Sequence, residues 1–208
     1  MDNQLYKHRS QLVLGFHGCD ANLAEQVVLG KTMLKESDHD YDWLGHGIYF
    51  WENNIDRAEQ WAKDNKDVAT YSVKTPGVLG AFIDLGNCLD LTDSGCLQLL
   101  KMPYETLVKS CDLAGVPLPV NKDPLKVKSK DRILRKLDCA VITTLHNLTK
   151  KAKLPPYDSV RGVFWEGDEL YPGAGFREKN HIQIAIINPN CIKGFFLPRG
   201  IDNKYIIP

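Results

Sequence analysis

Apolar residues recur in short blocks along the chain, and their spacing sorts the blocks into strands and helices. Leu12-Val13-Leu14-Gly15-Phe16-His17 is brief and β-prone, which predicts a strand ending at His17-Gly18. Asp20 then stands where a helix cap belongs; Leu23, Ala24, Val27 and Val28 share one helical side, and Gly30 follows its end. Residues 35–42 are polar and predict a solvated loop. Ile48 to Trp51 reads as a buried strand with Ile48 and Phe50 on one face, Tyr49 and Trp51 on the other. Glu52-Asn53-Asn54 signals an N-cap, and Ile55, Ala58, Trp61 and Ala62 form the inner stripe of a helix running to about Asn65.

Gly77 to Leu85 predicts another strand, closed by Gly86-Asn87. The pattern then turns helical. Leu97–Lys101 and Glu105–Leu113 read as helical segments split by Pro103, and Gly115–Pro124, with three prolines, as a loop. Asp131–Thr149 carries the clearest helical stripe: Ile133, Leu134, Leu137, Ala140, Val141, Leu145 and Leu148. Residues 92–153 thus form a helical insert on a β-rich body, within a single domain spanning 1–208. Val160–Trp165 and His181–Ile187 predict strands, joined by a long loop, Glu166–Asn180; Cys191–Leu197 is the last strand. In the His181 strand, Ile182, Ile184 and Ile186 are expected in the core, turning His181, Gln183 and Ala185 the other way.

Totals narrow the function classes only a little. The 208 residues carry 26 basic and 26 acidic side chains, so overall charge argues for no particular partner. No apolar run approaches membrane-spanning length and Met1–Ser10 is polar, which predicts a soluble, cytoplasmic protein without a secretory signal or membrane partner. Six scattered cysteines lack a Cys-x-x-Cys pair, as expected of reduced thiols and not of a zinc site.

Glycine-rich nucleotide fingerprints are missing, which argues against a doubly wound nucleotide enzyme. His17 and Cys19 lie too close in sequence to make a good base and thiol nucleophile. His39 and His46 match no zinc spacing, so no metal is expected. What remains is three separate strands presenting His17, Tyr49 and Gln183, with Trp61 nearby.

Three ordered pieces, Phe16-His17-Gly18, Gly45-His46-Gly47-Ile48-Tyr49-Phe50 and Asn180-His181-Ile182-Gln183-Ile184, resemble the ADP-ribosyltransferase superfamily. The branch is the one containing diphtheria toxin and the poly(ADP-ribose) polymerases. The resemblance covers residues 12–65 and 158–198 and leaves out the helical insert. It implies an α+β fold in which two small packed sheets surround a cleft for NAD, used as co-substrate. It implies that His17 binds the adenine-side ribose, that the backbone of Gly18 pairs with the nicotinamide amide, and that Tyr49 and Trp61 clamp the cationic ring. Trp61 departs from the tyrosine usual there. His17, Tyr49 and Gln183 would be the catalytic set. Gln183 is a second departure: glutamate is common in the family and opposes charge developing on the ribose, whereas glutamine only holds the hydroxyl.

These features together predict an NAD-dependent mono-ADP-ribosyltransferase, transferring one ADP-ribose to a protein side chain or nucleic-acid base. An NAD glycohydrolase and a non-catalytic NAD- or ADP-ribose-binding module are the alternatives. The family places acceptor recognition in the loop before the last catalytic strand, here with Tyr171, Phe176, Arg177 and Glu178; Glu178 could add a carboxylate. By analogy with the family, a freestanding transferase suits a bacterial toxin or phage-defence effector, held in check by an antitoxin or inhibitor protein. Lys122, Lys126, Lys128, Lys130, Arg132, Arg135 and Lys136 make a basic stretch that either guides nucleic acid or forms a solvated helix face.

Overall fold

The computed structural model describes residues 12–123 and 132–207. Lys126, Lys128, Lys130 and Asp131 therefore lie outside the described residues. In chain order the elements are β1 (Val13–Asp20), α1 (Ala21–Val28), β2 (Ile48–Glu52), α2 (Ile55–Asp64), β3 (Pro76–Ile83), β4 (Cys88–Asp90), α3 (Ser94–Gln98) and α4 (Lys101–Ala114). Then follow β5 (Asn121–Lys122), β6 (Leu134–Arg135), α5 (Lys136–Lys151), β7 (Ser159–Phe164), β8 (His181–Ile186) and β9 (Ile192–Phe196).

The class is α+β. Seven strands join in one mixed sheet, in the order β4-β7-β8-β2-β1-β3-β9, and β5 pairs only with β6. Two separate packed sheets were expected; hydrogen bonds between β1 and β2 join them into one. That seam is short. It pairs Gly15 with Glu52 and Phe16 with Trp51, whereas β1 and β3 pair all the way from Val13–Ile83 to Asp20–Pro76. Beyond Phe16, among the described residues, no strand pairs with β1 on the β2 side, and the sheet splits there.

Alternation along the central strands sorts the core. Ile48 and Phe50 pack with Leu79, Ile83, Ile184 and Ile186 on one face. Tyr49 joins Leu44, Ile142, Leu145 and Val160 on the other, and Trp51 joins Phe16, Ala58 and Trp61. Ile182 is only half-buried, while Ala185 is fully buried on the opposite face, because β8 is central and α5 covers its back. At the far side of this half, Arg161 on β7 bonds both Glu52 on β2 (2.5 Å) and Asp90 on β4 (3.2 Å), tying three strands together.

Two helix expectations need correction. Pro103 does not split a helix: α4 runs through it, with Pro103 in the first turn, where a missing N–H costs no helical bond. The helix expected from Asp131 begins at Lys136. Ile133 and Leu134 precede it, because Asn121 on β5 accepts from the Leu137 and Asp138 amides (2.9 and 3.3 Å) and caps α5 from a distance. The caps of α1 and α2 are as expected: Asp20 accepts from Asn22 N and Asn54 from Arg57 N. Among the described residues no helix is long and apolar enough to cross a membrane. All six cysteines are free thiols.

Candidate functional site

Where β1 and β2 part, the side chain of His17 bridges the gap. Its Nδ1 lies 2.8 Å from the Tyr49 carbonyl. A carbonyl only accepts, so Nδ1 carries the proton and Nε2 keeps a lone pair. Burial pushes the ring's pKa down, favouring this neutral form. Gly18 follows on the open edge of β1. A Cβ there would come within 2.2 Å of the Ala58 carbonyl oxygen, so close packing of α2 by itself demands glycine.

Tyr49 is pinned by the turn before its own strand. Its hydroxyl donates to the Gly45 carbonyl at 2.7 Å and accepts from the Leu44 amide at 3.1 Å. Gly45 has φ of 78°, a left-handed conformation that a β-carbon disfavours. Burial raises the Tyr49 phenol well above its usual range, so it stays a donor. Trp61 projects from α2 against Tyr71 and Trp51, with ring centroids 5.1 and 6.1 Å away.

Gln183 is oriented by Trp43, whose indole N–H donates to Oε1 at 2.6 Å. An indole nitrogen can only donate, so the amide oxygen must face it and the NH2 group points elsewhere. His17, Gly18, Tyr49, Trp61 and Gln183 all line one cavity of about 360 Å³. A second hollow of about 490 Å³ shares His17, Gly18, Trp61 and Tyr71 with it and extends along α1 past Asn22 and Gln26. The two meet across the His17–Gly18 edge.

Pattern reading overlooked several residues of this wall. Trp43, Trp51, Arg57, Glu166 and His181 line the same cavity as Gln183. Arg57 precedes Trp61 by one helical turn and pairs with Glu166 at 3.0 Å. Its position was readable from the α2 stripe; its partner, across 109 residues, was not. His181 was readable, since alternation puts it on the face of Gln183. The 35–42 loop is largely solvated, as expected, but it is also pinned to the body. Ser37 bonds the Gly47 backbone in both directions (2.8 and 3.1 Å), His39 stacks on Tyr41, and Tyr41 and Asp42 wall the cavity.

The residues expected to read an acceptor stand apart from the cavity. Tyr171 and Phe176 are exposed, 55% and 65%, Glu178 is exposed, and Arg177 bonds the Gly167 carbonyl. None of the four lines the cavity; Glu166, at the start of the same loop, does. Two members of the basic stretch are engaged internally: Arg135 lies over Phe164 and pairs with Asp138, and Lys136 pairs with Asp40. Cys19 is buried and its thiol is pushed up to about 11, which removes it as a nucleophile.

The chain is similar to an uncharacterized protein of Methanocaldococcus jannaschii, 26% identical over 214 aligned positions that cover 92% of this chain and 91% of the relative. No family model matches the chain, and no solved structure matches it.

Proposed function

We propose that the protein is an NAD-dependent mono-ADP-ribosyltransferase that cleaves the nicotinamide–ribose bond and passes ADP-ribose to a macromolecular acceptor. One observation carries this reading: His17, Gly18, Tyr49, Trp61 and Gln183, from β1, β2, α2 and β8, surround a single cavity. The adjoining hollow across the His17–Gly18 edge, about 490 Å³, extends that space along α1.

Each residue has chemistry suited to its role. Neutral His17 offers Nε2 as acceptor to a ribose hydroxyl. The unpaired edge of β1 leaves backbone groups near Gly18 for a carboxamide. Tyr49 and Trp61 offer aromatic surface to a cationic ring. The Gln183 NH2, freed by the Trp43 bond on Oε1, donates to the 2′-hydroxyl and fixes the sugar. A carboxylate of the cavity wall, Glu166 in place of Glu178, opposes charge on the ribose, although its pairing with Arg57 weakens that field.

The deciding experiment is incubation with labelled NAD and cell extract, followed by parallel protease and nuclease digestion. Label on a macromolecule that one digestion removes is the expected result and identifies the acceptor class. Nicotinamide release with no transferred label would instead make the protein a glycohydrolase. Tight NAD binding with no release would make it a binding module, a reading that the uncharged Gln183 leaves open.

A further inference from the structure

Several buried polar atoms have no hydrogen-bond partner. Among the described residues they are Trp51 Nε1, Arg57 Nε, His146 Nε2, Asn180 Oδ1 and His181 Nε2. Trp51, Arg57 and His181 all line the cavity, and they are only 6%, 8% and 6% exposed. Such groups are costly to bury unless something bound satisfies them.

The state of His181 follows from its other nitrogen. Nδ1 lies 2.6 Å from the Lys179 carbonyl and must donate to it. Nε2 is left as a bare lone pair. Phe164 stacks on the ring (5.5 Å) and Trp51 flanks it (6.1 Å), fixing its plane. The charged groups facing it are Glu166, 4.0 Å from Nδ1, and Arg57, paired with that carboxylate. Period-two geometry sets His181 and Gln183 side by side on one face of β8.

We propose that His181 is the general base for the acceptor, in a subsite that Trp51 and Arg57 complete as donors. This rests on the transferase reading. A lone pair on the acceptor O–H or N–H bonds to ribose C1′ while the C1′–N glycosidic bond breaks. The electron pair of that bond leaves with the nicotinamide nitrogen, and the acceptor's proton moves to His181 Nε2. Burial holds the ring pKa down at about 4, so Nε2 is free of a proton at neutral pH. A base that weak suffices, because the acceptor turns acidic as its new bond forms. Two donors and one acceptor atom select a neutral group that carries lone pairs besides its proton. A guanidinium cation, with no lone pair to offer, is disfavoured.

His181→Asn tests this in the full chain. Asparagine retains a donor near the Lys179 carbonyl and removes Nε2. NAD affinity, measured by calorimetry, is expected to stay within about twofold, while transfer falls by about a hundredfold or more and the acid limb of its pH profile disappears. Parent-like transfer with an unchanged acid limb would overturn the role. His181→Gln gives a second variant should the first fail to fold. Nitrogen NMR of the parent reads the ring directly, with or without NAD: a neutral ring protonated at Nδ1 supports the proposal, and one protonated at Nε2 ends it. A parent that neither binds NAD nor transfers brings down the transferase reading and this role with it, a result distinct from an active parent indifferent to His181→Asn.

Discussion

At the scale of single residues, Gln183 is held by a donor that cannot tell it from glutamate. The Trp43 indole would bond a carboxylate oxygen as readily as the amide oxygen it bonds at 2.6 Å. Gln183→Glu should therefore keep its orientation and add negative charge beside the sugar, and nicotinamide release should persist at the parent rate or above. Gln183→Ala loses the contact, and release should drop by about a hundredfold or more, on the order of 2.7–4 kcal/mol. A rate unchanged in the alanine form would remove Gln183 from the mechanism. Tyr49→Ala should weaken NAD binding by about 1–3 kcal/mol in calorimetry, by analogy with bases stacked on aromatic side chains. Tyr49→Phe keeps the ring but strands the buried Leu44 amide and Gly45 carbonyl, so it should bind NAD like the parent but unfold more easily, by about 1–3 kcal/mol. His17, Tyr49 and Gln183 were legible in the sequence because strand alternation and short motifs are local. Trp43 and Glu166 were not, since what gives each its place is a partner more than a hundred residues away.

At the scale of elements, six of the seven strands of the sheet were readable; β4, three residues long, was not, and the insert was misread at its joints. Pro103 looks like a breaker until the helix start is known to fall at Lys101, which puts it in the first turn. The start of α5 depends on a cap from Asn121, which no window along the helix contains. The two-residue strands β5 and β6 are too short for any period to register. The basic stretch belongs to this joint. If it guides nucleic acid, reversing the charges of Lys126, Lys128 and Lys130 should reduce labelling of RNA or DNA and flatten its salt dependence, with NAD affinity intact. Equal labelling by parent and variant, measured across a salt series, would exclude that route.

At the scale of the whole molecule, three histidines whose pKa burial lowers, His17, His146 and His181, link the fold to acidity. Burial lowers the pKa of His17 and His146, and lowers that of His181 from 6.5 to about 4. Unfolded, all three rings take protons near pH 6.5; folded, they resist them. Stability is therefore complete above pH 6.5 and is lost as pH falls toward 4, by on the order of 3 kcal/mol for His181. Urea midpoints should fall between pH 7 and about pH 4.5, and less steeply in His181→Asn; equal slopes would show that other groups carry the effect. The central place of β8 bears on how the chain comes to life. β8 fits between β2 and β7, and the Trp43–Gln183 bond closes over 140 residues. Long-range pairings of that kind form late and slowly. A growing chain that has made β1, β2 and β7 already holds His17 and Tyr49, yet it has no cavity and leaves two strand edges bare. Until its late strand arrives, such a chain is inert and in greater danger of clumping than of acting.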